Sequence, residues 1–484
     1  MQGLTPTAIS VEADLQPGLP HFQIIGLPDA QVAEAKQRVR SALKNSGLPF
    51  PMGRLTVNLA PSFLRKEGTG LDLAIAVAIT VVTGKVKPKH FPLLFGELSL
   101  IGQLRPYPTL AATLAHLNKN PEPCVLPFLD DLLHLRAAGL RLYEAASLTD
   151  VLAALQSDIA YKTVPQAPKR VQRPSGTSLN SVVGQTQAKR ALEIAVVGRH
   201  HLFLSGPPGA GKTLLAQAAV ELLPSLTDVQ LLEVVAVSAL TNCPTQRSRF
   251  QAPHHTASTQ SLIGGGAPLR PGALSQAHHG ILFLDEFSEF KRDVREALRQ
   301  PLEDRFVRVG RVGESSTLPA QALVIAAQNP CPCGMHGYGA CTCKPSDLLR
   351  YAARLSQPLL ERFDLFCEVP KLQESDRAEK LRPEDFQRMM TERIDQAILH
   401  MAIRQGEQVN ARMTPKELEK WAVVDSAGKK VLERARSKYL LSARANDSVL
   451  RVSRTIADLA GSLRVHEEHI AEALLYRRKP PVPS

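Results

Sequence analysis

The chain has 484 residues, of which 44% are hydrophobic and 21% are charged, and these values are typical of a globular protein with several domains. The formal net charge of +12 favours an anionic partner such as nucleic acid or a membrane surface, although a basic protein without such a partner is an alternative. The start of the chain has no signal-peptide pattern, and the longest apolar run, 73–82, is too short to span a bilayer.

The chain contains seven cysteines, and four of them lie between positions 331 and 343. This clustering does not resemble the regular spacing of a secreted disulfide framework. We therefore expect a cytoplasmic protein with a candidate metal site.

The first predicted domain, residues 1–160, mixes strand and helix patterns. Residues 22–27 resemble a strand, and Pro28 and Asp29 then introduce a basic amphipathic helix over 30–43. Residues 55–59 alternate as a strand does, and an apolar helix is expected from Leu71. Residues 161–180 are basic and rich in proline and serine, which is the composition of a linker.

The second predicted domain, residues 181–372, alternates apolar strands with helical segments, as a parallel α/β sheet requires. Its predicted strands include 201–205, 280–285 and 322–327. The third domain, residues 373–484, is predicted to be all helical, with helix starts near Thr414 and Ser442 and a last helix over 465–477.

A glycine-rich loop follows the first of these strands and precedes a helix. In that context the pattern Gly-Pro-Pro-Gly-Ala-Gly-Lys-Thr is a P-loop, whose backbone N–H groups surround phosphates. Lys212 is expected to reach the β- and γ-phosphates and the Thr213 hydroxyl to bind Mg²⁺. The residues predicted to bind ATP here are Gly206, Pro207, Pro208, Gly209, Ala210, Gly211, Lys212, Thr213 and Leu214.

Two further strands end in polar residues that suit ATP hydrolysis. The apolar run 281–284 ends in Asp285, predicted to hold Mg²⁺, and in Glu286, predicted to polarise the attacking water. The next strand ends at Asn329, which is predicted to orient that water. Ligands bind at the carboxyl ends of strands in such sheets, so the three residues are expected at one edge.

These motifs, in this order, resemble AAA+ ATPases. The segments Ala252-Pro-His-His-Thr-Ala-Ser258, 262–266, 271–275 and His278-His-Gly280 resemble the magnesium-chelatase-like branch, and the whole chain resembles the ComM (YifB) family. The resemblance implies an α/β P-loop AAA+ core, preceded by a Lon-protease-like α+β domain and followed by an all-helical lid domain. It also implies that the segment Val182-Val-Gly-Gln185 lies on the adenine side of the nucleotide, with Val183 and Gly184 as its nucleotide-binding residues.

The resemblance assigns further roles in ring assembly and DNA contact. Arg362 would be an arginine finger that reaches the γ-phosphate of a neighbouring subunit, which implies a ring, expected to be a hexamer. Arg451 is the better candidate for a second sensor, whereas Arg454 is equally well explained as a helix-surface arginine. A β-hairpin over about 305–319 would present Arg308 and Arg311 to the DNA backbone, the alternative being a solvated basic hairpin. A segment over about 254–275, which contains His254 and His255, would interrupt a helix.

The first domain departs from the Lon-like pattern. Gly70 and Ala111 match the positions of the family's nucleophilic serine and its lysine base, with Thr69 as a nearby hydroxyl, so peptidase activity is not expected. Members of the family also begin somewhat earlier, so the first strand is expected to be absent or the start wrongly assigned.

The cysteine cluster is a candidate zinc site. Cys331, Cys333, Cys341 and Cys343 could supply four thiolates to a tetrahedral ion, with His336 as a substitute ligand. Reduced cysteines or a labile disulfide are the alternatives.

Three functions remain open from the sequence. The first is a DNA motor that uses ATP and Mg²⁺ for branch migration in recombination or natural transformation. The others are a magnesium-chelatase-like motor and a protein-remodelling ATPase. DNA binding that weakens with salt, and ATP hydrolysis stimulated by DNA, distinguish the first from the other two.

Overall fold

The computed structural model describes residues 6–64, 66, 68–107, 109–117, 122–128, 140–157, 179–241, 249–266, 269–311, 314–372 and 383–477. The predicted linker, 161–180, lies almost entirely outside them. The chain forms two compact units, one made of 1–171, 226–247 and 310–318 and the other of the remaining residues.

The first unit is an α+β structure. Strand Arg54–Ala60 pairs with Ser10–Gln16 in antiparallel and with His21–Ile25 in parallel orientation. The predicted helix start holds, because the Asp29 carboxylate accepts a hydrogen bond from Val32 N at 2.7 Å. The remaining strands of this unit are Leu93–Leu94, Glu97–Leu98, Leu104–Arg105, Cys124–Leu126 and Leu142–Glu144, and its helices are Ala30–Asn45, Asp72–Val82, Leu110–His116, Leu148–Gln156 and Asp228–Ser238.

Helix Asp228–Ser238 belongs to this unit although its sequence position lies within the predicted core domain. Its Leu232 is buried together with Leu110 and Leu114. The helix begins at Asp228 because Thr227 and Gln230 form a capping box. It packs in the first unit because its apolar side chains are buried there.

The second unit is built on a five-stranded parallel sheet. The strand order is Phe250–Gln251, Ile281–Leu284, Leu323–Gln328, Leu202–Ser205, Leu365–Glu368. All neighbours are parallel. The expected P-loop α/β core is therefore confirmed, and the strand that ends at Asn329 lies between the P-loop strand and the acidic strand.

Alternate residues of these strands point to opposite faces, as the pleat requires. Leu202 and Leu204 join one buried cluster, whereas Phe203 joins the other with Leu282 and Leu284. Burial on both faces explains why the strands are continuously apolar.

The C-terminal part is helical, as predicted. Thr414 and Glu417 form a capping box, and Ser442 caps the helix that starts at Ala443. Val449, Val452 and Ile456 join the buried cluster on one face of the sheet. The helices of the second unit are Thr186–Gly198, Lys212–Leu222, Thr259–Ile263, Ala273–Gln276, Arg292–Ala297, Arg299–Asp304, Pro345–Ala352, Gln357–Leu360, Pro383–Gln405, Pro415–Trp421, Ser426–Tyr439, Ala443–Leu459 and Glu467–Leu475.

The predicted hairpin is present as a two-stranded sheet of Phe306–Arg311 and Glu314–Pro319. A second small sheet pairs Gly264–Gly265 with Arg270–Pro271, within the segment expected to interrupt a helix. Within the described ranges, no helix has both the length and the apolar character needed to cross a membrane.

Candidate nucleotide site

The P-loop connects strand Leu202–Ser205 to helix Lys212–Leu222. Gly209 and Gly211 have φ angles of +75° and +90°, which favour glycine. A Cβ atom at Gly206 would lie 2.1 Å from the Val369 carbonyl oxygen, so no larger residue fits there. The glycine spacing therefore reflects the backbone path of the loop.

Lys212 joins the loop to the neighbouring strand. Its Nζ donates to the carbonyl oxygens of Gly206 at 2.7 Å and Pro207 at 2.9 Å and to Asn329 Oδ1 at 3.1 Å. Burial lowers the pKa of Lys212, and the carboxylates of Asp285 and Glu286 oppose part of that shift. Two residues that the sequence assigned to hydrolysis are thus in direct contact.

Thr213 and Asp285 also meet, because the Thr213 hydroxyl donates to Asp285 Oδ2 at 2.9 Å. A hydroxyl and a carboxylate at this distance are the oxygen ligands that Mg²⁺ takes in nucleotide sites, so the pair fits the ion.

Glu286 follows Asp285 at the same edge of the sheet and is held in an unusual backbone conformation. Its φ is +48°, in the left-handed region, and its N–H donates to Asp285 Oδ1 at 2.9 Å. His255 Nδ1 lies 3.1 Å from Glu286 Oε2, and the His254 ring lies tilted against His255 with centroids 4.1 Å apart. The sequence singled out these histidines only for their place in the interrupting segment and did not predict the contact.

The predicted adenine-side segment, residues 182–185, approaches the P-loop through Gln185. Gln185 Nε2 donates to the carbonyl oxygens of Pro370 at 2.7 Å and Ala210 at 3.4 Å. Val183 is 44% exposed and Gly184 has a φ of +60°. Leu214, one residue after Thr213, packs against the apolar core. The left-handed backbone at Gln185 itself had no sequence signal.

Arg362 is held within its own chain. Its Nη2 contacts Glu303 Oε2 at 2.9 Å, and its Nε donates to the Arg299 carbonyl oxygen at 3.0 Å. The side chain is only 13% exposed. The predicted reach to a neighbouring subunit would require at least the ion pair with Glu303 to open.

The two sensor candidates of the helical part differ in burial. Arg451 Nε donates to the Met413 carbonyl oxygen at 2.8 Å. Arg454, which one interpretation placed on the helix surface, is fully buried and contacts Asp458 at 2.9 Å. That surface interpretation is wrong, because the side chain satisfies a buried carboxylate that also accepts from Arg404 at 2.8 Å.

Of the DNA-contact candidates, Arg308 is described in full. It is exposed and lies over the Phe306 ring at 5.0 Å. The Arg311 side chain lies outside the described residues.

The four clustered cysteines converge on one point. Cys331 Sγ lies 3.4 Å from Cys333 Sγ and 3.8 Å from Cys341 Sγ, and Cys333 and Cys341 are 3.6 Å apart. Cys343 belongs to the same group, in which all sulfur atoms lie within 4.8 Å of one another. These separations exceed the roughly 2.05 Å of a disulfide. His336 takes part through its backbone N–H, which donates to Cys331 Sγ at 3.3 Å.

The first unit shows why the Lon-like nucleophile position is a glycine. A Cβ atom at Gly70 would lie 2.7 Å from the Tyr107 ring, so a serine would not fit without displacing that ring. Lys66 is buried, and its Nζ donates to the Pro61 carbonyl oxygen. Burial lowers the pKa of Lys66, as a general base would require. The residue at the position of the nucleophilic serine is Gly70, however, so this lysine has no serine to activate there.

Known proteins are similar in sequence to nearly the whole chain. Residues 178–377 match the family described as magnesium chelatase, subunit ChlI. Residues 11–130 match subunit ChlI of Mg-chelatase, and residues 386–477 match the C-terminal part of that subunit.

Individual relatives agree with these matches. The competence protein ComM of Haemophilus influenzae is 36% identical over 98% of this chain and 95% of its own length. The YifB protein of Escherichia coli has the same identity and coverage. The DNA replication licensing factor Mcm2 of Drosophila melanogaster is 25% identical over 46% of this chain and 24% of its own length. The chain belongs to the ComM/YifB family of magnesium-chelatase-like AAA+ ATPases.

Proposed function

We propose that this chain is an ATP-hydrolysing motor that acts on DNA as a ring of identical subunits, expected to be a hexamer. The observation that carries the hydrolytic part is the convergence of Lys212, Asn329, Thr213 and Asp285 at one edge of the sheet. Magnesium at the Thr213–Asp285 pair would neutralise charge on the transferred phosphate. Val183, Gly184 and Gln185 would border the adenine.

Each residue has a defined task in the proposed reaction. Lys212 binds the terminal phosphates, which replace the loop carbonyls that it now contacts. Glu286 accepts a proton from the attacking water, and Asn329 orients that water. Arg362 from the next subunit stabilises the charge that develops on the γ-phosphate, and Arg451 supports the same phosphate from the helical part.

Action on DNA is supported by charge and by similarity. The net charge is +12, and Arg308 lies exposed on a hairpin whose strands alternate. Full-length similarity to a competence protein, and partial similarity to a replication licensing factor, favour a DNA substrate over a porphyrin or a protein. We propose branch migration in recombination or natural transformation as the task. A motor of this kind would work in the cytoplasm.

The test is ATP hydrolysis with and without single-stranded and forked DNA. DNA should stimulate hydrolysis, and the stimulation should be absent in Lys212→Ala and Glu286→Gln. Arg308→Ala should weaken DNA binding for all sequences. The plot of the logarithm of the binding constant against the logarithm of the salt concentration should become shallower by about one. Arg434→Ala, an exposed arginine on helix Ser426–Tyr439, is the matched control and should change neither. Hydrolysis that is indifferent to all DNA would favour a chelatase-like or protein-remodelling motor instead.

We also propose that the four clustered cysteines bind one structural zinc ion. Four sulfur atoms at about 2.3 Å from a tetrahedral ion are about 3.8 Å apart, and the observed separations of 3.4, 3.6 and 3.8 Å are close to that value. Two backbone N–H groups donate to sulfur, from Cys333 to Cys343 and from His336 to Cys331. Untagged protein purified without added metal should contain roughly one zinc per chain, and less than about one per three chains would contradict the site.

A further inference from the structure

The loop that carries the four cysteines touches the nucleotide site. It begins two residues after Asn329, whose side chain contacts Lys212. At Gly334 the loop lies directly against the P-loop, because a Cβ atom there would be 2.5 Å from Pro208 Cδ. The φ of Gly334 is +79°, so both its backbone and its surroundings favour glycine. The cysteine loop therefore contacts the P-loop at Pro208.

The helix that follows the loop is attached to the same site. Tyr351, on helix Pro345–Ala352, donates from its hydroxyl to the Asn329 carbonyl oxygen at 3.1 Å. The same hydroxyl accepts a hydrogen bond from Ser288 Oγ at 2.8 Å. Ser288 lies two residues after Glu286, so Tyr351 links the two strand ends that carry the predicted hydrolytic residues.

The loop has little else to define its shape. Residues 329–344 contain neither helix nor strand, and Cys333, Cys341 and Cys343 are partly exposed. Apart from short backbone turns such as Gly334 N to Cys331 O, such a segment has few contacts that fix its conformation, and a metal ion would cross-link it.

We infer that the zinc-bearing loop braces the ATP site: the metal fixes Gly334 against Pro208 and, through Asn329 and Tyr351, aligns the P-loop with the hydrolytic strand ends. The cysteines then act as positioning residues, since their described sulfur contacts run to one another and to backbone N–H groups of the same loop. This inference rests on the proposed zinc site and on ATP hydrolysis, and it does not depend on DNA. Loss of zinc should lower kcat for ATP about ten- to a hundredfold, because small displacements of aligned groups are costly, with little change in KM.

The experiment measures zinc content together with kcat and KM for basal hydrolysis in the absence of DNA. The double variant Cys341→Ser, Cys343→Ser removes two ligands that lie far along the loop from Asn329, and it should lose both zinc and kcat. Thr342→Ala, an exposed residue between them, is the control and should keep both. The single variant Cys343→His replaces one zinc-binding side chain by another, so it should retain zinc and a large part of kcat.

A second variant separates the brace from general loop folding. Gly334→Ala keeps all four thiols and should retain zinc, yet it should lower kcat because its Cβ atom would displace Pro208. Zinc loss with unchanged kcat, or an unchanged kcat in Gly334→Ala, would overturn the brace. Wild-type protein that contains no zinc would contradict the brace, because its metal site would not exist. Wild-type protein that contains zinc but hydrolyses no ATP would instead contradict the proposed function.

Discussion

His255 Nδ1 lies 3.1 Å from Glu286 Oε2, which places an imidazole beside the proposed general base, 31 residues earlier in the chain. Glu286 is 52% exposed and His255 33% exposed, so this contact limits the orientations open to a half-exposed carboxylate. A base that is oriented by a further group is a common arrangement in hydrolytic sites.

His255→Ala should therefore lower kcat for ATP about tenfold, equivalent to about 1.4 kcal/mol in the barrier, and leave KM nearly unchanged. The reason is that Glu286 remains present but is no longer held in one orientation. Steady-state kinetics at saturating Mg²⁺ measure the effect. His400→Ala, an exposed histidine on helix Pro383–Gln405, provides the control, and an unchanged kcat in His255→Ala would show that Glu286 does not need this partner.

Arg362 should act on a neighbouring subunit once its contact with Glu303 opens. Arg362→Ala and Lys212→Ala should each abolish hydrolysis, yet an equal mixture should recover up to about a quarter of the wild-type rate. Random mixing pairs an intact Lys212 with an intact Arg362 at about one interface in four. ATP hydrolysis after co-refolding or subunit exchange measures the recovery.

The control for that mixing experiment combines Lys212→Ala with Glu286→Gln. Lys212 and Glu286 act in the ATP site of the same subunit, and every subunit in this mixture lacks one of them. No site is therefore complete, and no recovery is expected. A mixed ring of Arg362→Ala and Lys212→Ala that stays inactive would argue against action between subunits.

Asp458 should be critical for the stability of the helical part. It contacts Arg454 at 2.9 Å and Arg404 at 2.8 Å, and its own side chain is 1% exposed. Asp458→Asn should lower the free energy of unfolding of this region by about 3–5 kcal/mol, because two guanidinium groups lose a buried counter-charge.

Urea unfolding followed by the fluorescence of Trp421 measures this effect, since the chain contains a single tryptophan and it lies on helix Pro415–Trp421. Asp347→Asn breaks an exposed pair with Arg350 at 3.8 Å and should change the same transition by less than about 1 kcal/mol. Equal effects of the two variants would contradict the buried network.

Nucleotide binding should weaken at high pH because of Lys212. Burial lowers the pKa of its ammonium group, so the positive charge is present at neutral pH and is lost as the pH rises through a value below the ordinary 10.5. The affinity of the free protein for ATP should accordingly begin to fall below pH 10.5. Lys212→Arg, whose guanidinium stays charged in this range, should bind ATP without that alkaline decline, and an affinity that is constant up to pH 10.5 would contradict the prediction.

Contiguous motifs were readable from the sequence because each one is dictated by local chemistry. The P-loop needs glycines where the backbone turns around phosphates, and the carboxylates after 281–284 follow from a buried strand that ends at a sheet edge. The same holds for the helix starts at Thr414 and Ser442, where side-chain caps satisfy backbone N–H groups. The spacing of the four cysteines likewise indicated a metal site before any geometry was known.

Contacts between distant parts of the chain were decided only by the tertiary structure. Periodicity and composition carry no information about which side chains meet across 117 residues, as Lys212 and Asn329 do, or about the approach of Gly334 to Pro208. Arg454 was ambiguous for the same reason, since its burial depends on the position of Asp458 and on packing against other helices. Local backbone preferences and apolar patterns thus specify the elements and their motifs, whereas close packing and the pairing of buried charges determine which residues share a site.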